Sequence, residues 1–187
     1  PNHEQRSLEW FQDRNEKISA SSIYKVLKLT ADYVNLKFEK IGIDMPFFGN
    51  TNPIKHGVMF EIVSQRCYET RNNVKIIEFG CIPHLNYSYI GASPDGVVYL
   101  ENLLTDNGYK KYTTEQLCLH GRLIEIKNPY SRMITDNIPE KYEYQICAQQ
   151  EVCNLPVCDY LETKYTYYSS FSDLENDQYD LQDDDIA

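Results

Sequence analysis

The sequence predicts an α/β (α+β) fold with one mixed central β-sheet flanked by helices. Helical patterns fill the first third of the chain, short apolar runs follow in the middle, and a long helix precedes a final apolar run. With 187 residues, of which 42% are apolar, the chain is long enough for one domain with a hydrophobic core. We expect this domain over residues 1–171 and an acidic, disordered tail over residues 172–187.

The N-terminal part predicts two short helices. Residues 7–15 begin with a serine that can cap a helix and carry Leu8, Trp10 and Phe11 at helical spacing. A second helix follows residues 19–22, where three serines lie near the expected helix N-terminus. Free backbone N–H groups at that point favour an anion, whereas simple capping would also explain one of the serines.

Two further helices are predicted beyond an irregular segment. Residues 31–50 are rich in aromatic side chains and show no clear period, whereas Asn52-Pro53 begins a helix that runs to about residue 70. Its apolar face is expected to comprise Met59, Ile62, Val63 and Cys67. Glu61 lies at the border of that face, where an acid is usually just solvated. A last helix spans about residues 137–153, with Tyr142, Ile146 and Gln149 at core spacing.

The strands are predicted from short apolar runs between turn signals. They are expected at residues 74–79, 88–90, 96–100, 117–127 and 157–168. The polar segment 101–116, which contains Asn107-Gly108, predicts a hairpin or a long loop.

Two short segments carry candidate catalytic residues. Asp95 lies in a Pro-Asp-Gly turn that leads into a predicted strand. Glu125 and Lys127 share one strand face because alternate side chains point the same way. Carboxylates hold a hard divalent cation and an amine can orient an attacking water, so this set suits metal-assisted hydrolysis of a phosphodiester. The alternative is a surface strand with an ion pair and an ordinary turn aspartate.

The charge distribution argues against a broadly basic DNA-binding surface. The chain carries a net charge of −10, but residues 172–187 hold seven of its 28 acids and no base. The rest has 21 acids against 18 bases, so only a narrow channel with a few placed cations could hold DNA. The tail could instead recruit a basic partner, such as an annealing protein.

The six cysteines contain no CxxC pair, and most neighbour apolar residues. They predict reduced, mostly buried thiols of an intracellular protein. The alternative is an iron–sulfur cluster on Cys147, Cys153 and Cys158, although their spacing lacks the close pair of known cluster motifs. No stretch reaches the ~18 apolar residues of a membrane span, so no membrane interaction is expected.

Six segments in order resemble one known family. They are Trp10–Arg14 with Ile18–Ser21, His56–Glu61, Phe79–His84, Gly91–Gly96, Glu125–Pro129 and Tyr144-Gln145. The spacing of Pro94-Asp95 from the Glu125-Ile126-Lys127 triplet matches the signature of the PD-(D/E)XK nucleases. Together the segments resemble the YqaJ-type viral recombinases, which are lambda-exonuclease-like nucleases, and most closely those of large DNA viruses. The resemblance spans about residues 7–168 and implies a restriction-endonuclease-like core.

The resemblance implies roles for the residues at the matching positions. Asp95 and Glu125 would ligate Mg²⁺, for which Mn²⁺ could substitute, with the Ile126 carbonyl as a further ligand. Lys127 would serve the attacking water. Glu61 would face the same site from its helix and help to hold a water or a second metal ion.

Further roles follow from the same resemblance. Gln145 would orient on the active site from the last long helix. DNA phosphates, including the one at the 5′ end, would be held by Arg14, Ser21 and Ser93. The chain departs from the family pattern at Cys147, where relatives often have a second glutamine.

The implied function is a Mg²⁺-dependent exonuclease that degrades double-stranded DNA ends 5′→3′ in viral recombination, repair or genome processing. Two alternatives stay open: a structure-specific or restriction-type endonuclease of the same fold, and a non-catalytic DNA-binding module. A single-strand annealing protein is a possible partner, and some relatives form oligomers. A viral protein of this kind would act in the host cytoplasm or nucleus, at sites of viral DNA replication.

Overall fold

The computed structural model describes residues 3–28, 32–42, 52–101, 104–105, 108–109 and 112–176. The helices of this part are α1 (Leu8–Asn15), α2 (Ala20–Leu27), α3 (Asp32–Lys40), α4 (Asn52–Asn72), α5 (Thr114–Leu119), α6 (Glu140–Cys153) and α7 (Phe171–Asn176). The strands are β1 (Ile18–Ser19), β2 (Lys75–Ile77), β3 (Ile82–Pro83), β4 (Ile90–Ala92), β5 (Gly96–Tyr99), β6 (Leu104–Thr105), β7 (Gly108–Tyr109), β8 (Leu123–Lys127) and β9 (Cys158–Glu162).

A four-stranded mixed sheet in the order β2-β5-β8-β9 forms the centre of the fold. Strand β5 is antiparallel to both β2 and β8, and β9 is parallel to β8. The register pairs Gly96 with Ile124, which places the turn at Asp95 beside Glu125. The predicted fold class is confirmed, but a smaller sheet in the order β1-β4-β3 accompanies the central one. Its strands have two or three residues, too few to show a period.

Helix α6 contacts both the central sheet and the smaller β1-β4-β3 sheet. Its Val152 packs with Ala20 of α2 and Ala92 of the small sheet. Two other α6 side chains, Gln145 and Gln149, reach the central strand β8. On β8 the residues from Leu123 to Ile126 are all buried, so this strand lies in the hydrophobic core.

Helix α4 buries a different face from the one predicted. Met59, Ile62 and Val63 are 60%, 46% and 41% exposed, and Cys67 is also exposed. The helix instead buries His56, Ser64 and Gln65. Ser64 Oγ lies 2.7 Å from Asn128 Oδ1 and 2.6 Å from Thr163 Oγ1, so a polar cluster at the ends of β8 and β9 fixes the helix rotation.

Two predicted segments are corrected. Residues 32–40 form α3 rather than irregular chain; only Leu36 is buried on it, so it lacks an apolar stripe. Residues 43–50 lie outside the described part. The strand predicted at 117–127 begins only at Leu123, because Thr114–Leu119 form α5, whose start is fixed by a capping box between Thr113 and Gln116.

The cysteines are free thiols, but the prediction that most are buried is wrong. Only Cys81 is buried, and Cys67, Cys118 and Cys147 are exposed. Burial raises the pKa of the Cys153 thiol to about 11, so this group stays protonated at neutral pH. Within the described residues no group of three or more His, Cys, Asp or Glu side chains could hold a metal ion, which leaves the iron–sulfur alternative without support.

The predicted tail boundary falls inside α7, which spans Phe171–Asn176. Residues 177–187 lie outside the described part, so the division into domain and tail stays a prediction. None of the helices in the described residues is both long and apolar enough to cross a membrane.

Gly96 begins β5 where that strand packs closely on β2. A Cβ added at this position would lie 2.2 Å from Ile76 Cγ2 and 3.0 Å from Ile77 O. Gly96→Ala is therefore expected to lower the free energy of unfolding by about 1–3 kcal/mol, measured by urea denaturation. Gly57→Ala is the control, because its added Cβ has open space and alanine favours the helix by up to about 1 kcal/mol. A Gly96 variant as stable as the wild type would contradict the close contact between β5 and β2.

Candidate active site

The start of β5 and the end of β8 bring three of the predicted catalytic residues together. Asp95 immediately precedes β5, and its Oδ2 accepts a hydrogen bond from the Ile126 backbone N–H at 2.6 Å. Glu125 is 0% exposed, and its Oε1 accepts a hydrogen bond from Lys127 Nζ. Lys127 Nζ also donates to the Ile126 carbonyl at 3.2 Å. The turn and the strand therefore present two carboxylates, an amine and a main-chain oxygen at one place.

The charges of this group are strongly coupled. Burial first, and then the neighbouring charge of Glu125, raise the pKa of Asp95 to about 8, although Lys127 opposes the shift. Burial acts to lower the pKa of Lys127, but the charges of Glu125 and Asp95 outweigh it and raise that pKa. Two acidic groups thus face one amine, and a bound cation would favour the ionised form of both.

Two glutamines of α6 hold the buried carboxylate of Glu125. Gln145 Nε2 donates to Glu125 Oε1 at 2.6 Å, and Gln149 Nε2 donates to Oε2 at 2.7 Å. The two amides are four residues apart and so lie on the same face of α6. The sequence reasoning assigned Gln149 to the core and missed this contact. The available signal was a polar amide at core spacing, one turn after a candidate site residue.

Glu61 lies at the edge of this group and is bound by a residue that the sequence reasoning missed. Arg6 Nη2 lies 2.7 Å and 2.6 Å from the two carboxylate oxygens of Glu61. The backbone of Arg6 is left-handed, with φ 67°. The preceding Gln5 donates from Nε2 to the Pro94 carbonyl at 2.9 Å. The N-terminal segment is therefore tied beside Asp95, and nothing in its sequence pattern indicated this.

The three predicted phosphate-binding residues are joined through Trp10. Arg14 Nη2 donates to Ser21 Oγ at 3.1 Å, and the Arg14 guanidinium lies 4.4 Å from the centre of the Trp10 ring. The Trp10 Nε1–H donates to Ser93 Oγ at 3.1 Å. Ser93 precedes the Pro94-Asp95 turn, so this set is continuous with the catalytic group.

Lys40 adds a second cation to the same region. Its Nζ donates to the Arg14 carbonyl at 2.8 Å. Both side chains line a cavity of about 480 Å³, together with Trp10, Ser19 and Ser22. Burial lowers the pKa of Arg14, and burial together with the Arg14 charge lowers the pKa of Lys40. Glu39 also lines the cavity, with a carboxylate oxygen 3.9 Å from Lys40 Nζ. The two partly buried cations and the serine hydroxyls outnumber this one acid, and together they favour an anion. Lys40 was missed because α3 was not predicted.

The catalytic group fits a hard divalent cation. Mg²⁺ is usually bound by one or two carboxylates together with substrate phosphates rather than by an all-protein cage. Asp95, Glu125 and the Ile126 carbonyl supply oxygen donors of this kind.

Proteins of large DNA viruses are similar to this chain in sequence. The chain is 33% identical to an uncharacterized protein of Acanthamoeba polyphaga mimivirus, over 95% of this chain and 32% of that protein. It is 30% identical to a protein of African swine fever virus, over 76% of this chain and 44% of that protein. The chain therefore spans less than half the length of these curated relatives.

The fold has counterparts among solved structures. An alkaline exonuclease from Laribacter hongkongensis, LHK-Exo, superimposes with a TM-score of 0.64 at 23% identity, covering 84% of this chain and 74% of that one. The same exonuclease in complex with dAMP gives a TM-score of 0.63 and the same identity, covering 83% of this chain and 73% of that one. The likeness shows a shared restriction-endonuclease-like fold.

The sequence also matches the YqaJ-like viral recombinase domain over residues 9–156, which confirms the predicted resemblance. The chain belongs to the family of YqaJ-like viral recombinase domains.

Proposed function

We propose that this domain is a metal-dependent DNA exonuclease that hydrolyses phosphodiester bonds at double-stranded DNA ends, 5′→3′, in viral recombination or genome processing. The observation that carries the proposal is the group formed by Asp95, the buried Glu125 and Lys127 at the adjoining ends of β5 and β8. The family and the fold support a nuclease. The proposal adds the metal, the polarity and the residue roles.

Each residue of this group has a separate role in the proposed hydrolysis. Mg²⁺, or Mn²⁺ in its place, would polarise the scissile phosphate and lower the pKa of a water molecule. Asp95 and Glu125 supply the carboxylate oxygens, and the hydrogen bond from the Ile126 N–H fixes the orientation of Asp95. Lys127 has three N–H donors; one bonds Glu125 and another can orient the attacking water. Gln145 holds Glu125 Oε1 in place.

The pocket around Arg14 favours an exonuclease over an endonuclease. A terminal 5′-phosphate carries more negative charge than an internal phosphodiester, and Arg14 with Lys40 supplies two partly buried cations for it. Ser21 accepts a hydrogen bond from Arg14 and Ser93 accepts one from Trp10, although neither serine lines the cavity itself. An enzyme that cuts internally has no need of such a terminal-phosphate pocket.

Arg14→Ala and Lys40→Ala are each expected to reduce the use of 5′-phosphorylated duplex ends by about 10- to 100-fold. Each removes a charge-assisted contact to the terminal phosphate, which is worth roughly 1.5–3 kcal/mol. Ends with a 5′-hydroxyl should be affected much less. The measurement is the initial rate of nucleotide release from matched 5′-phosphate and 5′-hydroxyl duplexes.

Lys37→Ala is the matched control, because Lys37 lies on α3 like Lys40 but is exposed and does not line the cavity. It should leave the preference between the two ends unchanged. If Arg14→Ala and Lys40→Ala slow both substrates equally, these cations bind the DNA backbone in general and the proposed pocket is wrong.

One protein partner follows from the proposed reaction. Degradation of one strand of a duplex leaves a single strand, so a single-strand annealing protein is the partner that we propose. Its basic surface is a candidate contact for the acidic residues 172–187. Copurification of the full chain and a chain truncated after residue 171 with such a protein tests this contact. Mass measurement in solution tests whether the chain forms an oligomer on DNA.

A further inference from the structure

We propose that Gln149 is a positioning residue of the hydrolytic centre. It holds Oε2 of Glu125 so that this oxygen presents one fixed acceptor direction to the metal ion. The inference rests on the proposed function and deepens it, because it names a residue that decides how the carboxylate is presented.

The hydrogen bonds to Glu125 are divided unequally between its two oxygens. Oε1 accepts from both Lys127 and Gln145, whereas Oε2 accepts from Gln149. A carboxylate has about four lone-pair sites, two on each oxygen. The described donors therefore occupy both sites on Oε1 and one on Oε2. Oε2 is therefore the oxygen with fewer donors among the described residues, and it is the one that Gln149 holds.

Both partners of the Gln149–Glu125 hydrogen bond are buried. Glu125 and Gln149 are both 0% exposed, so bulk water does not compete for the carboxylate. Gln145, by contrast, is partly exposed and shares its oxygen with Lys127. Among the described residues, only Gln149 donates a hydrogen bond to Oε2. Without its amide, the carboxylate could rotate about its last bond and lose the orientation.

The orientation of the Gln149 amide is fixed by the same chemistry. A carboxylate only accepts hydrogen bonds, so the amide nitrogen must face Glu125 and the amide oxygen must point away. That oxygen is buried and has no partner among the described residues. An unpaired buried oxygen destabilises the fold, so this amide orientation is held by the bond from the amide nitrogen to the charged carboxylate and not by partners of the oxygen.

Gln149→Met tests the inference, because methionine has a similar length and volume but lacks the amide. The dissociation constant for Mn²⁺, measured by titration calorimetry without DNA, is expected to rise about 10- to 100-fold, as is typical when a residue that orients a metal ligand is lost. Nucleotide release at low metal concentration should fall by a similar factor and recover in part with excess metal. Gln149→Asn keeps an amide but is one methylene shorter, so the amide no longer reaches Glu125; it should show the same loss of affinity, although it changes the packing more than methionine does.

Gln150→Met is the matched control. Gln150 is the next residue of α6, and its amide donates to the Pro156 carbonyl at 2.7 Å, away from the catalytic group. This variant should keep the wild-type metal affinity. If Gln149→Met and Gln149→Asn lower the melting temperature but keep the wild-type dissociation constant for Mn²⁺, the residue is only structural and the inference is overturned.

The failure of this inference is distinguishable from the failure of the proposed function. If Glu125→Gln loses metal binding and hydrolysis while both Gln149 variants keep them, the function stands and the role of Gln149 is wrong. If the wild-type chain neither binds a divalent cation nor releases nucleotides from DNA, both proposals are overturned.

Discussion

Glu125→Gln is expected to lower the rate of nucleotide release from duplex DNA by at least about 10³-fold. The change removes a negative oxygen donor from the proposed metal site, and the Lewis-acid contribution of a bound cation is worth several kcal/mol. Metal affinity should fall with it. Rate measurements across a Mg²⁺ series, together with calorimetric titration of Mn²⁺, separate the loss of binding from the loss of the chemical step.

The folding of this variant needs its own control. Glu125 accepts from Lys127, Gln145 and Gln149, so an amide in its place turns one donor–acceptor contact into a donor–donor contact. Asp95→Asn avoids this problem, because the Asn oxygen can still accept from the Ile126 N–H. Circular dichroism should show both variants folded. Hydrolysis at the wild-type rate by a folded Glu125→Gln or Asp95→Asn chain would contradict the assignment of the metal ligands.

Lys127→Met is expected to abolish hydrolysis to a similar extent while it strengthens metal binding. Lys127 bonds Glu125, and the charges of both carboxylates act on it, so it would compete electrostatically with a cation for them. Loss of the amine removes the group that we propose orients water, but it also removes a positive charge from the proposed metal site. The same calorimetric titration of Mn²⁺ should therefore show changes of opposite sign for Lys127→Met and Glu125→Gln.

The stability of Lys127→Met provides a second measurement. Loss of the partner of a buried charge typically costs about 3–5 kcal/mol, since it leaves Glu125 uncompensated. A bound cation should restore part of the lost stability, so added Mg²⁺ should raise the melting temperature more for Lys127→Met than for the wild type. Metal binding that weakens in this variant would show that Lys127 supports the metal site rather than competing with it.

The catalytic strands could be predicted because their chemistry is local. The Pro94-Asp95-Gly96 turn and the alternation around Glu125 are visible within a few residues. Both segments form strands in the structure, and the register of β5 on β8 places them side by side. Helix α6 was predicted for the same reason, since its core spacing and its start at Pro139 are local signals.

Contacts between distant segments could not be predicted in the same way. The inward rotation of α4 depends on a hydrogen bond from Ser64 to Asn128 and a contact between the hydroxyls of Ser64 and Thr163, and both partners lie far along the chain. The apolar side chains of that helix gave the opposite prediction. The contact of Gln149 with Glu125 likewise depends on how α6 packs against β8, which no local period encodes.

The charges of the proposed phosphate pocket could not be predicted from the local sequence either. The net charge of the chain gave no indication of two adjacent, partly buried cations. Lys40 approaches Arg14 only because α3 folds back on the N-terminal segment. A sequence with an acidic body can therefore still place a small basic site where one phosphate group would bind.

The most direct test of the central claim is the digestion of linear and closed DNA duplexes by the wild-type chain and Glu125→Gln, in Mg²⁺ and in chelator. The duplexes carry a 5′-phosphate, a 5′-hydroxyl or hairpin-closed ends, with a label at either the 5′ or the 3′ terminus. We predict that the wild type in Mg²⁺ releases nucleotides from the 5′-phosphate ends, that closed duplexes stay intact, and that Glu125→Gln and the chelator stop the reaction. Cleavage of closed duplexes, equal release by Glu125→Gln, or equal release in chelator would contradict a metal-dependent exonuclease.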